Sequence, residues 1–172
     1  KVLAKNDAIA SEIRSNLLDN GVFAINIVSS PGSGKTSLVE KTIEHFNGRM
    51  NISVIEGDVQ TDLDAQRVSA YNVPVVQIIT NGGCHLEANL VKDSMKNIDL
   101  AQTDLLIIEN VGNLVCPVGY DLGEDMKVVV ISVTEGDDKP LKYPKMFINS
   151  KVLVINKTDL LPYVNCNIEV LK

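Results

Sequence analysis

Apolar residues in this chain come in short, mostly unbroken runs: 22–29 (VFAINIVS), 51–57 (NISVIEG), 74–80 (PVVQIIT), 104–110 (DLLIIEN), 126–133 (MKVVVISV) and 151–156 (KVLVIN). Strands exposed on one face alternate apolar with polar positions, whereas strands buried on both faces do not. The runs therefore predict a largely parallel central sheet flanked by helices. Between them, 36–47, 62–71 and 86–98 read as amphipathic helices. A leading helix over about 2–20 is expected to stop at Gly21. This alternation specifies an α/β fold with right-handed crossovers covering both sheet faces. Polar clusters follow the carboxyl ends of one run after another, at 30–36, 56–64, 81–87, 109–116, 134–138 and 156–159. Open α/β sheets bind ligands at that edge, so one functional rim is expected.

Composition narrows the partners. A length of 172 residues with 45% hydrophobic content suits a single domain over 1–172 with a substantial core. The net charge of −6 and the lack of a basic run interleaved with aromatics argue against nucleic acid. The apolar runs are too short to span a bilayer, and no signal peptide opens the sequence, so a cytoplasmic protein is expected. Three cysteines make a disulfide framework improbable and reduced thiols the expectation.

The first strand runs into SSPGSGKTSL, 29–38, in which Gly34-Lys35-Thr36 ends a Walker A loop, with Ser29 where the strict pattern has glycine. Gly32, Ser33 and Gly34 let backbone N–H groups curl around phosphate, and the following helix, through Thr36 and Ser37, adds its positive amino end. Lys35 is expected at the β- and γ-phosphates, and the Thr36 hydroxyl on Mg²⁺. At the end of the last run stands Asn156-Lys157-x-Asp159, similar to the guanine-specificity motif of GTPases. The Asp159 carboxylate can accept from both N1–H and the exocyclic amine of guanine, a donor pair that adenine lacks. Lys157 is expected to lie over the base and Asn156 to brace the loop. Together the two motifs point to a Rossmann-like P-loop NTPase that takes GTP or GDP.

Two acidic segments lie between these motifs. Asp58, Asp62 and Asp64 come from EGDVQTDLDAQR (56–67), and Glu109 from a strand end. Asp58 is the first choice for assisting Mg²⁺ or positioning water and Asp64 the second; Glu109 suits Mg²⁺. Asp62 is expected to cap the helix that begins near it. No residue matches a Ras-type glutamine, which leaves the group that orients attacking water open. Helix capping explains the acids of VTEGDD (133–138) as well as a switch-like loop does.

Several blocks, namely SSPGSGKTSL, GDVQTDLDAQR, CHLEANLV, IENVGNLVCPVGYDLGE, VTEGDDKPLKYP and NKTDLLPYV, together resemble the G domain of the HypB family, the nickel-incorporation GTPases of hydrogenase maturation. The resemblance runs from about residue 5 to 165. The sister urease accessory GTPases, the UreG family, carry Cys-Pro-His, whereas this chain has Cys84-His85 with a separate Cys116-Pro117, which favours the hydrogenase branch. The resemblance implies a slow GTPase, homodimeric under GTP or metal, that binds Ni²⁺ or Zn²⁺ through Cys84, His85 and Cys116 near the dimer interface. It implies a zinc-containing HypA-type accessory protein and the [NiFe]-hydrogenase large subunit as partners. Two departures stand out. The cysteine- or histidine-rich leading nickel segment of some relatives does not occur, and few residues follow Asp159, so the family's closing guanine loop, strand and helix are expected to be missing.

Read by itself, the adjacent Cys84-His85 pair has two meanings. Neighbouring side chains share one ion only if the backbone turns, which Gly82-Gly83 permits, and two sulfurs with one nitrogen suit Zn²⁺ or Ni²⁺. Otherwise Cys84 packs as a small apolar residue. Cys166 and His45 are left out of the site. A GTP-gated dimerisation switch with structural zinc and a P-loop kinase are the competing functions. The guanine motif counts against the kinase.

Overall fold

The computed structural model describes residues 2–171. Each apolar run becomes a strand: β1 (Phe23–Ser29), β2 (Ile52–Asp58), β3 (Val75–Ile79), β4 (Leu105–Glu109), β5 (Met126–Ser132) and β6 (Val152–Asn156). All neighbours pair in parallel, in the order β3-β2-β4-β1-β5-β6. The helices are α1 (Val2–Asp19), α2 (Lys35–Phe46), α3 (Leu63–Ser69), α4 (Ala88–Met95), α5 (Lys139–Lys142), α6 (Pro144–Ile148) and α7 (Ile168–Leu171). None of the helices in the described residues is long and apolar enough to cross a membrane.

The period-two geometry of a strand sorts each run into two layers. From β4, Leu106 and Ile108 join Ile13 and Leu17 of α1 and Val91 of α4 on one face. Leu105 and Ile107 join Val39 and Ile43 of α2 and Val68 of α3 on the other. Val28 and Val129 meet Leu114 and Met146 in a smaller third cluster. This double coverage is why the strands read as continuous apolar runs.

Gly21 stops α1 as expected. Its φ is +70, the Val22 N–H donates to Leu17 O at 2.9 Å, and its own N–H donates to Leu18 O at 3.0 Å. These are the two bonds of a Schellman ending. One expected cap is not made. Asp62 occupies the cap position of α3, but its side chain accepts no cap hydrogen bond. The turn before it is organised instead by Asp58, which accepts from the Thr61 N–H at 2.8 Å and the Thr61 hydroxyl at 2.6 Å. In VTEGDD the capping explanation holds for Glu135, which closes a capping box with Ser132.

Helix α1 is tied down chiefly by burial of Ala10, Ile13 and Leu17. Full burial of an Ile or Leu side chain contributes about 1.5–3 kcal/mol. The ion pair from Arg14 to Asp121, at 2.7 Å, is solvent-exposed, and such pairs contribute about 0.2–1 kcal/mol. Arg14→Ala is therefore expected to lower the melting temperature by no more than about 2–4 °C. A larger drop in a thermal melt would show that α1 docks through its charge rather than its apolar stripe.

Candidate functional site

The polar loops at the carboxyl edge bring two groups of residues together, and the first is a phosphate cradle. Gly32 and Gly34 take φ values of +74 and +97, which curl the 30–34 loop before α2 begins at Lys35. Ser29 ends β1 without a positive φ, so the glycine of the strict motif is not required there. The guanine-motif loop closes on this cradle. The Asn156 Nδ2 donates to Ser33 O at 2.9 Å, the Lys157 Nζ to Gly32 O at 2.7 Å, and the Lys157 N–H to Asn156 Oδ1 at 2.9 Å. Lys157 itself lies in the left-handed region, with φ 57. Asp159 is exposed on the rim, and Ser37 is exposed beside the Arg67 guanidinium, at 3.4 Å.

Carboxylates converge beside the cradle. Oxygens of Glu56, Asp64 and Glu109 all lie within 4.8 Å of one another. The Thr36 hydroxyl donates to Glu109 Oε1 at 2.8 Å, and Lys35 Nζ is 4.0 Å from the same oxygen. Glu56 Oε2 and Glu109 Oε2 are buried with no hydrogen-bond partner among the described residues. Burial, then the charge of Glu109, pushes the Glu56 carboxyl up to about 11. Burial also raises Glu109, against the opposing pull of Lys35. A hard, all-oxygen donor set with unpaired buried oxygens fits Mg²⁺; Thr36 and Glu109 would hold it, with Glu56 and Asp64 alongside.

The structure does not bring Asp58 into this group. Burial alone would raise its carboxyl, but the Thr61 hydroxyl and the turn's N–H groups outweigh that and hold it below its usual value. Glu56 was missed in the sequence. The available signal was an acid inside the apolar run of β2, where a charged side chain must be buried.

The second group is Cys84, His85 and Cys116, whose donor atoms also lie within 4.8 Å of one another. Asn81 at φ 51 and Gly82 at φ 100 turn the chain, so the two neighbours reach one point. The Cys84 Sγ lies 3.6 Å from His85 Nδ1. Tetrahedral zinc bonds to sulfur and nitrogen imply an edge of about 3.5 Å between such atoms. The His85 ring packs on Tyr120 with centroids 3.9 Å apart, and its Nε2 lies 3.7 Å from Glu87 Oε1. Cys116 opens the 3-10 turn Cys116–Gly119. Asn113 holds it from both sides: Oδ1 accepts from the Cys116 N–H at 3.1 Å, and Nδ2 donates to Sγ at 3.6 Å. Hydrogen bonding with Cys84, then burial, raises the Cys116 thiol above its usual value. Cys166 and His45 belong to neither convergence found among the described residues.

The two groups share a segment. β4 ends on Glu109, and the chain then passes Gly112 on its way to Cys116. At Gly112 an added Cβ would sit 3.1 Å from Pro31 Cα in the phosphate loop. The loop that carries the thiol therefore rests on the loop that cradles phosphate.

The chain has close counterparts of known sequence and structure. The family model described as CobW/HypB/UreG, nucleotide-binding domain, matches residues 23–172. The hydrogenase maturation factor HypB of Azotobacter vinelandii is 53% identical over 98% of this chain, which spans 55% of that relative's length. The hydrogenase/urease maturation factor HypB of Helicobacter hepaticus is 46% identical over 95% of this chain and 68% of its own length. The crystal structure of HypB from Helicobacter pylori in complex with nickel superposes with a TM-score of 0.93 at 42% identity, covering 98% of this chain and 79% of the other. Matched from β1 onward and at this level of identity, the chain belongs to the CobW/HypB/UreG nucleotide-binding family, on its HypB hydrogenase maturation branch.

Proposed function

We propose that this chain is a single GTP-binding and GTP-hydrolysing domain that takes Ni²⁺, with Zn²⁺ as an alternative ion, and releases it under nucleotide control during [NiFe]-hydrogenase maturation. The observation that carries this reading is the convergence of Cys84, His85 and Cys116 on a segment that also touches the phosphate loop. Lys35 and the 32–37 backbone bind phosphates, Asp159 reads guanine, and Thr36 with Glu109 holds Mg²⁺. Asp64 stands in the acid group, so it is better placed than Asp58 to orient water. Expected partners are a second copy of the chain, a HypA-type accessory protein and the hydrogenase large subunit.

The proposed switch is short. A γ-phosphate beside Pro31 and Glu109 repositions Gly112, and Cys116 moves relative to Cys84 and His85. Coupling of this kind typically changes affinity by about 5–150-fold. Competition titration of Ni²⁺ is expected to give affinities at least about fivefold apart in GDP-bound and GTP-analogue-bound protein. Cys84→Ala and Cys116→Ala should each weaken Ni²⁺ by at least about tenfold while leaving GDP binding intact. Equal Ni²⁺ affinity in both nucleotide states would sink the switch. A zinc ion that ignores nucleotide and is not transferred would assign the site to a structural clasp.

A further inference from the structure

A chain of buried polar groups crosses the sheet beneath the two metal-bearing loops. Lys127 on β5 sends its Nζ to Pro117 O at 3.2 Å and Tyr120 O at 3.3 Å, the carbonyls of the turn that carries Cys116. The same Nζ lies 3.6 Å from Glu124 Oε1. That oxygen accepts from Asn26 Nδ2 at 3.0 Å, Asn26 Oδ1 accepts from Asn110 Nδ2 at 3.2 Å, and Asn110 Oδ1 accepts from the Leu86 N–H at 3.2 Å. Leu86 follows His85 directly. One end of the chain therefore holds the Cys116 turn, and the other holds the Cys84-His85 loop. Asn26 is 0% exposed, Asn110 1%, and Lys127 8%.

Burying a lysine, a glutamate and two amides costs folding free energy that an apolar set of the same volume would not. Apart from Lys127, its partner on β5, the neighbours of Asn26 are apolar: Ala24 and Val28 flank it on its own face of β1, and Ile108 is its partner on β4. Core packing therefore gives no reason for the polar residues. Their termini do. Tyr120, held by Lys127, also carries the ring stacked on His85, so the network touches both sides of the donor set. Groups that orient metal ligands commonly change metal affinity by about 10–100-fold when removed.

We infer that Asn26 on β1, Asn110 just after β4, Glu124 just before β5 and Lys127 on β5 are positioning residues that hold the Cys84-His85 loop and the Cys116 turn at metal-ligating separation. This rests on the metal reading proposed above. Asn26 is the link to cut, because it touches neither loop and its loss leaves the Lys127–Glu124 pair in place.

The test is Ni²⁺ and Zn²⁺ affinity by competition titration, together with the thiolate-to-nickel charge-transfer absorption, in Asn26→Leu. Cys84→Ala runs in parallel and GDP binding serves as the fold control. A loss of roughly tenfold in metal affinity with a shifted absorption band and unchanged GDP affinity is expected. An unchanged metal affinity and band, with only a lower melting temperature, overturns the inference; so does an equal loss of metal and GDP binding. If Asn26→Leu fails to fold, Asn26→Thr, which suits a strand and keeps one hydroxyl, is read by the same criteria. If Cys84→Ala binds metal as the parent does, the metal reading itself has failed. If only the cysteine variant loses metal, that reading stands and the positioning network falls.

Discussion

Gly34→Ala is expected to reduce GDP affinity by on the order of 100-fold while α2 still forms. Two physical terms combine at this position. Gly34 takes φ +97, a region in which an L side chain is strained by about 1–3 kcal/mol. A methyl group there would also meet Asn156 Nδ2 at 2.3 Å. The Asn156 amide can rotate away, but then it gives up its bond to Ser33 O and frees the Lys157 N–H. The guanine loop and the phosphate loop are one clamp, and the variant opens it from the phosphate side. A fluorescent-GDP titration reads the loss. The nucleotide-free loop can relax part of this strain, whereas the bound loop must keep its curl, so thermal stability of the free protein should change less than affinity. Affinity within threefold of the parent would show that the cradle tolerates a side chain and that the clamp is incidental.

The strands and the phosphate cradle were legible because each rests on local physics. A run such as 104–110 is apolar on both faces, so it announces a doubly covered strand without knowledge of its neighbours. Gly32 and Gly34 similarly mark a loop that needs left-handed backbone. The Cys84-His85 pair was legible only in outline. Its adjacency posed the question of how two neighbours face one ion, and the turn at Asn81 and Gly82 answers it.

What stayed hidden depends on long-range placement. Glu56 and Glu109 are 53 positions apart in the chain but paired across β2 and β4, so their interaction has no local signature. The acids near them in sequence, Asp58 and Asp62, drew attention because they follow the strand end. Asp58 is nonetheless absorbed by its own turn. Asn26 and Lys127 were equally silent, since a polar residue within an apolar run shows its role only when its partner is known. In this chain the anomalies inside the runs, Asn26 and Glu56, proved more informative than the acids between them.

The buried acid pair makes the last of these placements measurable. Glu56 is 1% exposed, and burial with the neighbouring Glu109 charge pushes its carboxyl from an ordinary 4.5 up to about 11. Glu56 thus keeps its proton in the folded chain beside Glu109, whose ionised form Lys35 and Thr36 favour. Between pH 4.5 and about 11 the unfolded chain releases a proton that the folded chain retains, so this group makes stability fall as pH rises. Glutamine carries no charge in either state and removes that slope. In protein free of nucleotide and Mg²⁺, Glu56→Gln should therefore differ little from the parent at pH 5. Above that it should gain about 1.4 kcal/mol over the parent per pH unit, on the order of 5 kcal/mol by pH 8.5, or roughly 10–20 °C in melting temperature. Parallel thermal melts across that range would read it directly. A gap that stays flat with pH would mean that Glu56 is already ionised in the fold, and the acid group would then be a standing cluster of charge rather than one that keeps a proton beside the phosphate site.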